Sequence, residues 1–144
     1  MILLDTDVLI DIALDRSPYS ESAADILERL ENGERSAFIA WHTISNFYYL
    51  VASKRGGADA RDFIVELTRF VAVAECGADA IWYAASLPMN DFEDAMQVAA
   101  ARACGAQYIV TRNTKDFSRS PIPAISPVEA LGRLFRLACQ GTNS

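Results

Sequence analysis

The sequence has few of the residues that build zinc and redox sites, with one histidine and three cysteines among its 144 residues. The cysteines are widely spaced and form no C-x-x-C pair, so we expect no zinc site. We predict reduced, mostly buried thiols in a cytoplasmic protein, at Cys76, Cys104 and Cys139. No apolar run approaches the roughly 20 residues of a membrane helix, and no basic segment follows Met1, so neither a membrane span nor a signal peptide is expected.

Several motifs of common enzyme classes are also missing. The chain has no glycine-rich phosphate loop of Walker or Rossmann type and no G-x-S-x-G nucleophile elbow. The formal net charge of -6 argues against a general nucleic-acid-binding surface. It does not exclude a nuclease, because a cluster of metal-binding acids would itself contribute to that charge. The content of 51% hydrophobic and 22% charged residues is typical of a globular domain.

Short apolar strands alternate with helices along the whole chain. Strands are predicted at residues 2–4, 36–40, 70–74, 108–110 and 124–125. Helices are predicted to open at residues 5–7 and to cover residues 21–31, 43–54, 61–70, 79–87, 90–104 and 128–138. The alternation predicts an α/β fold, a three-layer sandwich with a central parallel sheet of about five strands flanked by helices. We expect a single domain over residues 1–138 and a C-terminal tail over residues 139–144.

The segment from residue 90 to residue 117 contains the densest set of candidate site residues. Asp91 and Asp94 are spaced i, i+3 at an acidic helix start, so they share one face of its first turn. The helix dipole favours acids there in any case. A second polar group follows the strand at residues 108–110 and consists of Thr111, Arg112, Asn113 and Asp116. Ligands of open α/β sheets bind at the carboxyl ends of strands, so both groups can face one crevice.

Two further strands also end in polar residues. Asp5 follows the first strand, and a segment with His42, Thr43 and Asn46 follows the second. Thr43 is predicted to cap the next helix and to place Asn46 in its first turn. A lone histidine is more often structural than a ligand, so we do not assign His42 to the site. Acids in one crevice repel each other unless a divalent cation joins them, and carboxylate and amide oxygens suit Mg²⁺ or Mn²⁺.

Three blocks of the sequence resemble the PIN domain, and in particular the small prokaryotic PIN proteins that include the VapC-type toxins. The blocks are LDTDVLID at residues 4–11, DFEDAMQ at residues 91–97 and TRNTKDF at residues 111–117. They occur in the family's order, and the resemblance extends from residue 2 to about residue 131. It implies a five-stranded parallel sheet between helices and a metal-dependent ribonuclease site.

The resemblance also implies roles for individual residues. Asp5 corresponds to the family's first acid and Asp94 to the third, while the helix after the second strand has Asn46 where the second acid is usual. The fourth position corresponds to Asn113 with Asp116, and Asn113 also stands where Asp is common. The catalytic residues predicted in this way are Asp5, Asn46, Asp94 and Asp116. The predicted ligands of Mg²⁺, or of Mn²⁺ as a substitute, are Asp5, Asp91, Asp94, Asn113 and Asp116.

The activity implied by the resemblance is hydrolysis of RNA phosphodiester bonds by the toxin of a toxin–antitoxin pair. Thr111 would hydrogen-bond a ligand carboxylate or the phosphate, and Arg112 and Lys115, with Arg119, would contact the RNA backbone. The implied partners are RNA, an antitoxin protein and a second copy of the chain in a homodimer. Residues 47–51 make their helix unusually apolar, which is typical of a core helix and also suits a self-association face.

Two other functions fit parts of the sequence. Residues 2–8 also look like the opening motif of haloacid dehalogenase-like phosphatases, in which Asp5 would be the nucleophile and Asp7 the general acid. The other alternative is a catalytically weakened PIN fold that acts as a binding or regulatory module. It follows from the two positions where an amide, Asn46 or Asn113, replaces an acid.

Overall fold

The computed structural model describes residues 1–135, and its centre is a five-stranded sheet whose neighbouring strands are all parallel. The strands are β1 (Ile2–Leu4), β2 (Ala37–Ile39), β3 (Ala72–Val73), β4 (Tyr108–Val110) and β5 (Ala124–Ile125). Their order across the sheet is β3-β2-β1-β4-β5. The central strand β1 pairs with β2 on one side, where Leu3 lies opposite Phe38, and with β4 on the other, where Leu3 lies opposite Ile109.

Helices connect the strands, and a short 3₁₀ helix at Thr114–Phe117 follows β4. The helices are α1 (Thr6–Ala13), α2 (Tyr19–Glu31), α3 (Trp41–Arg55), α4 (Gly57–Leu67), α5 (Ala78–Ser86), α6 (Phe92–Cys104) and α7 (Pro127–Leu134). The predicted α/β sandwich around a parallel sheet of five strands is confirmed. The predicted domain end at residue 138, the predicted tail at 139–144 and Cys139 lie outside the described residues.

Separate apolar cores cover the two faces of the sheet. Successive side chains of a strand point to opposite faces, so Ile2 and Leu4 enter one core and Leu3 enters the other. The first core also contains residues of α1 to α4 and α7, and the second contains alanines of α6. Because β1 is buried along its whole length, the first polar residue after it, Asp5, stands at the edge of both cores.

The start of α3 differs from the prediction. The helix begins at Trp41 after the extended residue Ala40, so Thr43 is not its N-cap. Thr43 is fully buried, and its hydroxyl lies 3.0 Å from the hydroxyl of Thr6 and 3.0 Å from Nε2 of Gln97. A buried hydroxyl needs hydrogen-bond partners, and these tertiary partners replace the local capping bond. The earlier start also places Asn46 in the second turn of α3 rather than in the first.

The connection between α3 and α4 is a single glycine. Gly56 has φ +90°, a value that L side chains rarely adopt, and it ends α3 directly before α4 begins at Gly57. The prediction that the following helix would begin at residue 61 was therefore wrong, because one left-handed residue is enough to separate two helices.

The apolar residues of α3 divide between the core and the surface. Phe47 and Val51 are buried, whereas Tyr49 is 73% exposed and Leu50 is 51% exposed. The helix therefore contributes one apolar stripe to the core and leaves another uncovered in the monomer.

The described cysteines are not buried in the way the sequence suggested. Cys76 is exposed and Cys104 is partly buried, and both are free thiols. The prediction of mostly buried thiols is thus wrong for these two residues, because the loop before α5 leaves Cys76 open to solvent. Within residues 1–135, no helix has both the length and the apolar character that crossing a membrane requires.

Candidate active site

The candidate site lies where β1 and β4 end side by side. The strands β2 and β3 follow β1 on one side of the sheet, and β4 then pairs with β1 on the other side. The direction of strand addition therefore reverses between β1 and β4, and such a topological switch point leaves a crevice at the carboxyl ends of these two strands. Asp5 follows β1, Thr111 follows β4, and the Thr111 hydroxyl donates to Oδ2 of Asp5 over 2.9 Å. Strand pairing thus joins two residues that are 106 positions apart in the sequence.

A crevice of about 460 Å³ opens at these strand ends. Its walls come from α1, α3, α6 and the loop after β4, and its lining residues are Asp5, Thr6, Asp7, Ile10, Asn46, Tyr49, Leu50, Glu93, Asp94 and Asn113. The predicted residues Asp5, Asn46, Asp94 and Asn113 are therefore brought together.

A second hollow of about 380 Å³ adjoins the crevice. Asp94 lines both spaces and so marks the boundary between them. The hollow also contains the predicted residues Asp91, Lys115 and Asp116, together with Arg119. The predicted acids thus line two spaces that share Asp94, instead of one.

Hydrogen bonds hold Asp5 and Asp7 in the crevice from both sides. Asp5 caps α1 by accepting a bond from the backbone N–H of Thr6 over 2.8 Å. Oδ2 of Asp7 accepts a bond from the Asn113 side-chain amide at 3.0 Å and lies 3.2 Å from the Thr111 hydroxyl oxygen, whose one proton is donated to Asp5 over the shorter distance. Thr111 therefore contacts two acids, and Asn113 is engaged with a carboxylate that the sequence did not assign to the metal site.

Glu93 is an acid of the crevice that the sequence analysis missed. Its Oε1 accepts bonds from Nε2 of His42 at 3.1 Å, from Nδ2 of Asn46 at 3.5 Å and from Nε2 of Gln97 at 3.2 Å. One sequence signal was present, because Glu93 and Gln97 are spaced i, i+4 and lie on one face of α6. His42, left out of the predicted site, contacts the crevice through this bond.

The environment of Asp5 and Asp94 opposes their ionisation. Burial, followed by the charge of Asp7, raises the pKa of Asp5 from 3.8 to about 8. Burial, followed by the charges of Asp91 and Glu93, raises the pKa of Asp94 from 3.8 to about 7. A cation in the crevice would favour the charged forms and lower both pKa values.

The pKa values of Asp7 and Glu93 move in opposite directions. Burial raises the pKa of Asp7 to about 6, against the opposing charge of Arg112. Burial also acts to raise the pKa of Glu93, but hydrogen bonds from His42 and Gln97 outweigh it and the pKa is lowered. Glu93 is therefore ionised at neutral pH in the metal-free protein.

The donor set fits a hard divalent cation. Within the described residues, one carboxyl oxygen from each of Asp91, Glu93 and Asp94 lies within 4.8 Å of the other two. Carboxylate oxygens are the ligands that Mg²⁺ and Mn²⁺ prefer. A cation beside Asp5 and Asp94 would offset the burial and like charge that raise the pKa of each. Asp91 also has a structural role, because it caps α6 by accepting from the backbone N–H of Asp94 over 2.9 Å.

Arg112 was predicted to contact RNA, but its guanidinium is already engaged within the protein. Its Nε and Nη2 donate to the carboxylate of Asp11 over 2.8 and 3.2 Å, and Asp11 is 1% exposed. The guanidinium carbon also lies 4.4 Å from the ring centroid of Tyr19. Arg112 therefore ties the loop after β4 to α1 and α2.

Comparison with known proteins identifies a family. A family model described as PIN domain matches residues 1–115, which include every residue that lines the crevice. No curated protein sequence matches the chain.

Solved structures share the fold. A chain of VapBC2 from Rickettsia felis, bound to a DNA fragment from its promoter, has a TM-score of 0.68 at 18% identity and covers 88% of this chain and 98% of that chain. A chain of VapBC-1 from nontypeable Haemophilus influenzae has a TM-score of 0.65 at 18% identity, with coverage of 89% and 99%. Mycobacterium tuberculosis VapC20, described as a Sarcin-Ricin loop cleaving toxin, has a TM-score of 0.60 at 19% identity, with coverage of 76% and 87%.

We predict that Asp5 makes the metal-free protein less stable as the pH rises. A carboxyl whose pKa is higher in the folded state binds extra protons there, so the free energy of unfolding falls between about pH 4 and about pH 8. In EDTA, Asp5→Asn should melt near the wild-type temperature at about pH 4.5 and about 5 °C above it at about pH 8.

Thermal unfolding followed by circular dichroism checks this expectation. The matched control is Glu31→Gln, an exposed acid at the end of α2, which contributes no residue to the crevice. Its melting curves show the effect of removing a carboxylate that lies outside the crevice. A difference between Asp5→Asn and wild type that is independent of pH would contradict the raised pKa.

Arg112→Gln should destabilise the fold by about 3 kcal/mol, because it leaves the buried charge of Asp11 without its bidentate partner. Urea unfolding measures the loss. Lys115→Gln, which removes an exposed cation from the same loop, should change the free energy of unfolding by less than about 0.5 kcal/mol. Equal stability of the two variants would show that Arg112 is free for another role.

Proposed function

Since the chain belongs to the PIN domain family, we propose that it is a metal-dependent endoribonuclease and the toxin of a toxin–antitoxin pair. The proposal is carried by one observation, the convergence of Asp5 and Asp94 with the amides of Asn46 and Asn113 in a crevice at the switch point of the sheet. Acids gathered in this way suit a divalent cation and, through it, chemistry at a phosphate group.

We propose Mg²⁺ as the cofactor, with Mn²⁺ as a substitute. When bound, such an ion activates a water molecule and offsets the charge that develops on the phosphate oxygens. The proposed catalytic residues include Asn46, which lines the crevice, and Asp116, which lines the adjoining hollow. The proposed ligands are Asp5 and Asn113 of the crevice, Asp91 and Asp116 of the adjoining hollow, and Asp94, which lines both.

The protein's own contribution is to hold the acids in place. Thr6 and Thr111 each bind one oxygen of Asp5, so the carboxylate presents a fixed face to the crevice. The Asn113 side-chain amide and the backbone N–H of Arg112 both donate to Oδ2 of Asp7 and hold that carboxylate in place. Such preorganisation matters because ligand orientation is then set before the substrate arrives.

RNA binding is proposed for the cations beside the acids. Lys115 and Arg119 line the hollow that shares Asp94 with the crevice, so a phosphodiester at Asp94 would have basic groups next to it. Arg112 is not part of this proposal, since its guanidinium binds Asp11.

An antitoxin protein is the proposed partner. The support is that similar chains come from the VapBC and FitAB assemblies, which were solved bound to DNA. We place the protein in the cytoplasm, where RNA is available and free thiols such as Cys76 and Cys104 stay reduced.

The phosphatase alternative has less support. It needs Asp7 as a general acid, and burial does raise the pKa of Asp7 to about 6. The support for this alternative is nevertheless confined to residues 2–8, whereas the family model described as PIN domain matches residues 1–115.

Asp94→Asn tests the activity. With Mg²⁺ present, the rate of cleavage of a single-stranded RNA should fall at least about 100-fold, because losing even an outer-shell partner of a metal ligand typically costs 10- to 100-fold. EDTA should abolish wild-type cleavage, and Glu31→Gln should cleave like the wild type. Wild-type cleavage by Asp94→Asn would refute the assignment.

The melting temperature in Mn²⁺ is a second test of the proposed metal site. Mn²⁺ at about 100 times its dissociation constant should stabilise the wild type by about 2.7 kcal/mol, and the melting temperature should rise by several degrees. The rise should be much smaller for Asp94→Asn. Identical wild-type melting curves in Mn²⁺ and in EDTA would count against a shared metal site.

A homodimer is proposed through the uncovered stripe of α3, whose residues Tyr49 and Leu50 also line the crevice. Light scattering at tens of micromolar should give the dimer mass. The double variant Tyr49→Ser, Leu50→Ser should be monomeric, because two large apolar side chains are lost from the interface. Trp82→Ser, at an exposed aromatic on α5, is the control and should remain dimeric. A monomeric wild type would contradict the proposal.

A further inference from the structure

The crevice contains an amide on α3 and a carboxylate on α6 at contact distance. Nδ2 of Asn46 lies 3.5 Å from Oε1 of Glu93, and both residues line the crevice. Asn46 carries no charge, so α3 brings no acid into this space from the position where the resemblance to the PIN domain implies one. Glu93 brings a carboxylate to the same place from the opposite side.

Three donors from two helices converge on the same oxygen of Glu93. Besides Asn46, Nε2 of His42 lies 3.1 Å away and Nε2 of Gln97 lies 3.2 Å away. An acid at a helix start that served only the helix dipole would need none of them. The side chain of Glu93 is thus fixed in position, as a ligand-forming carboxylate must be.

The side-chain amide of Gln97 is oriented toward the carboxylate of Glu93. The side chain of Gln97 is fully buried and directs Nε2 at Glu93 and at the hydroxyls of Thr6 and Thr43. Its Oε1 is left without a hydrogen-bond partner. Turning the amide over would give Oε1 hydroxyl donors, but it would also set that oxygen against the Glu93 carboxylate. The unsatisfied atom is therefore tolerated because the amide faces a negative charge.

We propose that Glu93 is a further metal-ligating carboxylate and that it takes the place which an acid at position 46 would fill. The proposal rests on the proposed function, because it adds a ligand to the same metal site. One oxygen of Glu93 lies within 4.8 Å of carboxyl oxygens of Asp91 and Asp94. The negative charge of the site is thereby preserved, although its source is α6 instead of α3.

His42 and Asn46 become positioning residues in this arrangement. Each donates to Oε1 of Glu93 and so restricts the rotation of the carboxylate. The lone histidine of the chain is then neither a ligand nor a simple core residue, since its bond to Glu93 orients a ligand.

A charge swap between the two positions tests the proposal. Glu93→Gln removes the charge but keeps an oxygen that can accept from His42 and Gln97. Asn46→Asp adds a carboxylate beside Glu93. The double variant Asn46→Asp, Glu93→Gln keeps the wild-type charge and moves it from α6 to α3. Calorimetric titration with Mn²⁺ alone, without RNA, gives the affinity of each protein, with Glu31→Gln as the control for removal of a carboxylate.

We expect Glu93→Gln to weaken Mn²⁺ binding at least about 10-fold and the double variant to recover most of that loss. In EDTA, Asn46→Asp should melt below the wild type, because two carboxylates then face each other at contact distance. The double variant should not show this decrease, since its two side chains again form an amide–carboxylate pair. RNA cleavage should follow the same order as Mn²⁺ affinity.

Two outcomes would overturn the proposal. Wild-type Mn²⁺ affinity in Glu93→Gln would exclude Glu93 as a ligand. A loss in Glu93→Gln that the double variant fails to restore would show that positions 46 and 93 are not interchangeable. Asp94→Asn separates this failure from that of the proposed function. If it loses Mn²⁺ binding while Glu93→Gln does not, the metal site stands without Glu93, and if neither variant loses it, the metal site itself is wrong.

Discussion

Carboxyl groups from separate elements are held together at the ends of β1 and β4, although burial and like charge both oppose their ionisation. The raised pKa values of Asp5 and Asp94 express this opposition. The acids stay in place because their backbones belong to elements that are fixed elsewhere, β1 in the middle of the sheet and α6 against its second core. The apolar cores thus hold a polar site that would be unfavourable by itself.

Neutral hydrogen-bond donors complete this site. Hydroxyls of Thr6, Thr43 and Thr111 and the amide of Gln97 connect β1, α3, α6 and the loop after β4 in one continuous network. Neutral donors stabilise carboxylates without adding positive charge to the crevice, so the proposed metal ion would be the charge that offsets the acids. The guanidinium of Arg112, on the loop after β4, binds the buried carboxylate of Asp11 and serves the fold instead.

Much of the fold follows from local patterns. Short apolar strands alternating with helices require a layered α/β arrangement, and the polar residue after each buried strand must lie at the edge of a core, as Asp5 and Thr111 do. The positions of Asp5 and Asp94 in one crevice agree with this reasoning. Thr43 did not follow local rules, because two buried tertiary partners outweighed one capping bond. The start of α4 was misplaced because one glycine with positive φ separates it from α3.

The sequence by itself determined the order of strands and helices along the chain, the architecture with a single sheet, and the family blocks that contain Asp5 and Asp94. Each of these depends on residues that are a few positions apart in the sequence. Only the tertiary structure decided which polar groups meet. Glu93 contacts His42 and Asn46 across about 50 positions, and Arg112 reaches Asp11 across 101. Such pairings depend on how α6 and β4 pack against α1 and α3. Packing is set by the summed burial of many side chains, and no local spacing encodes it.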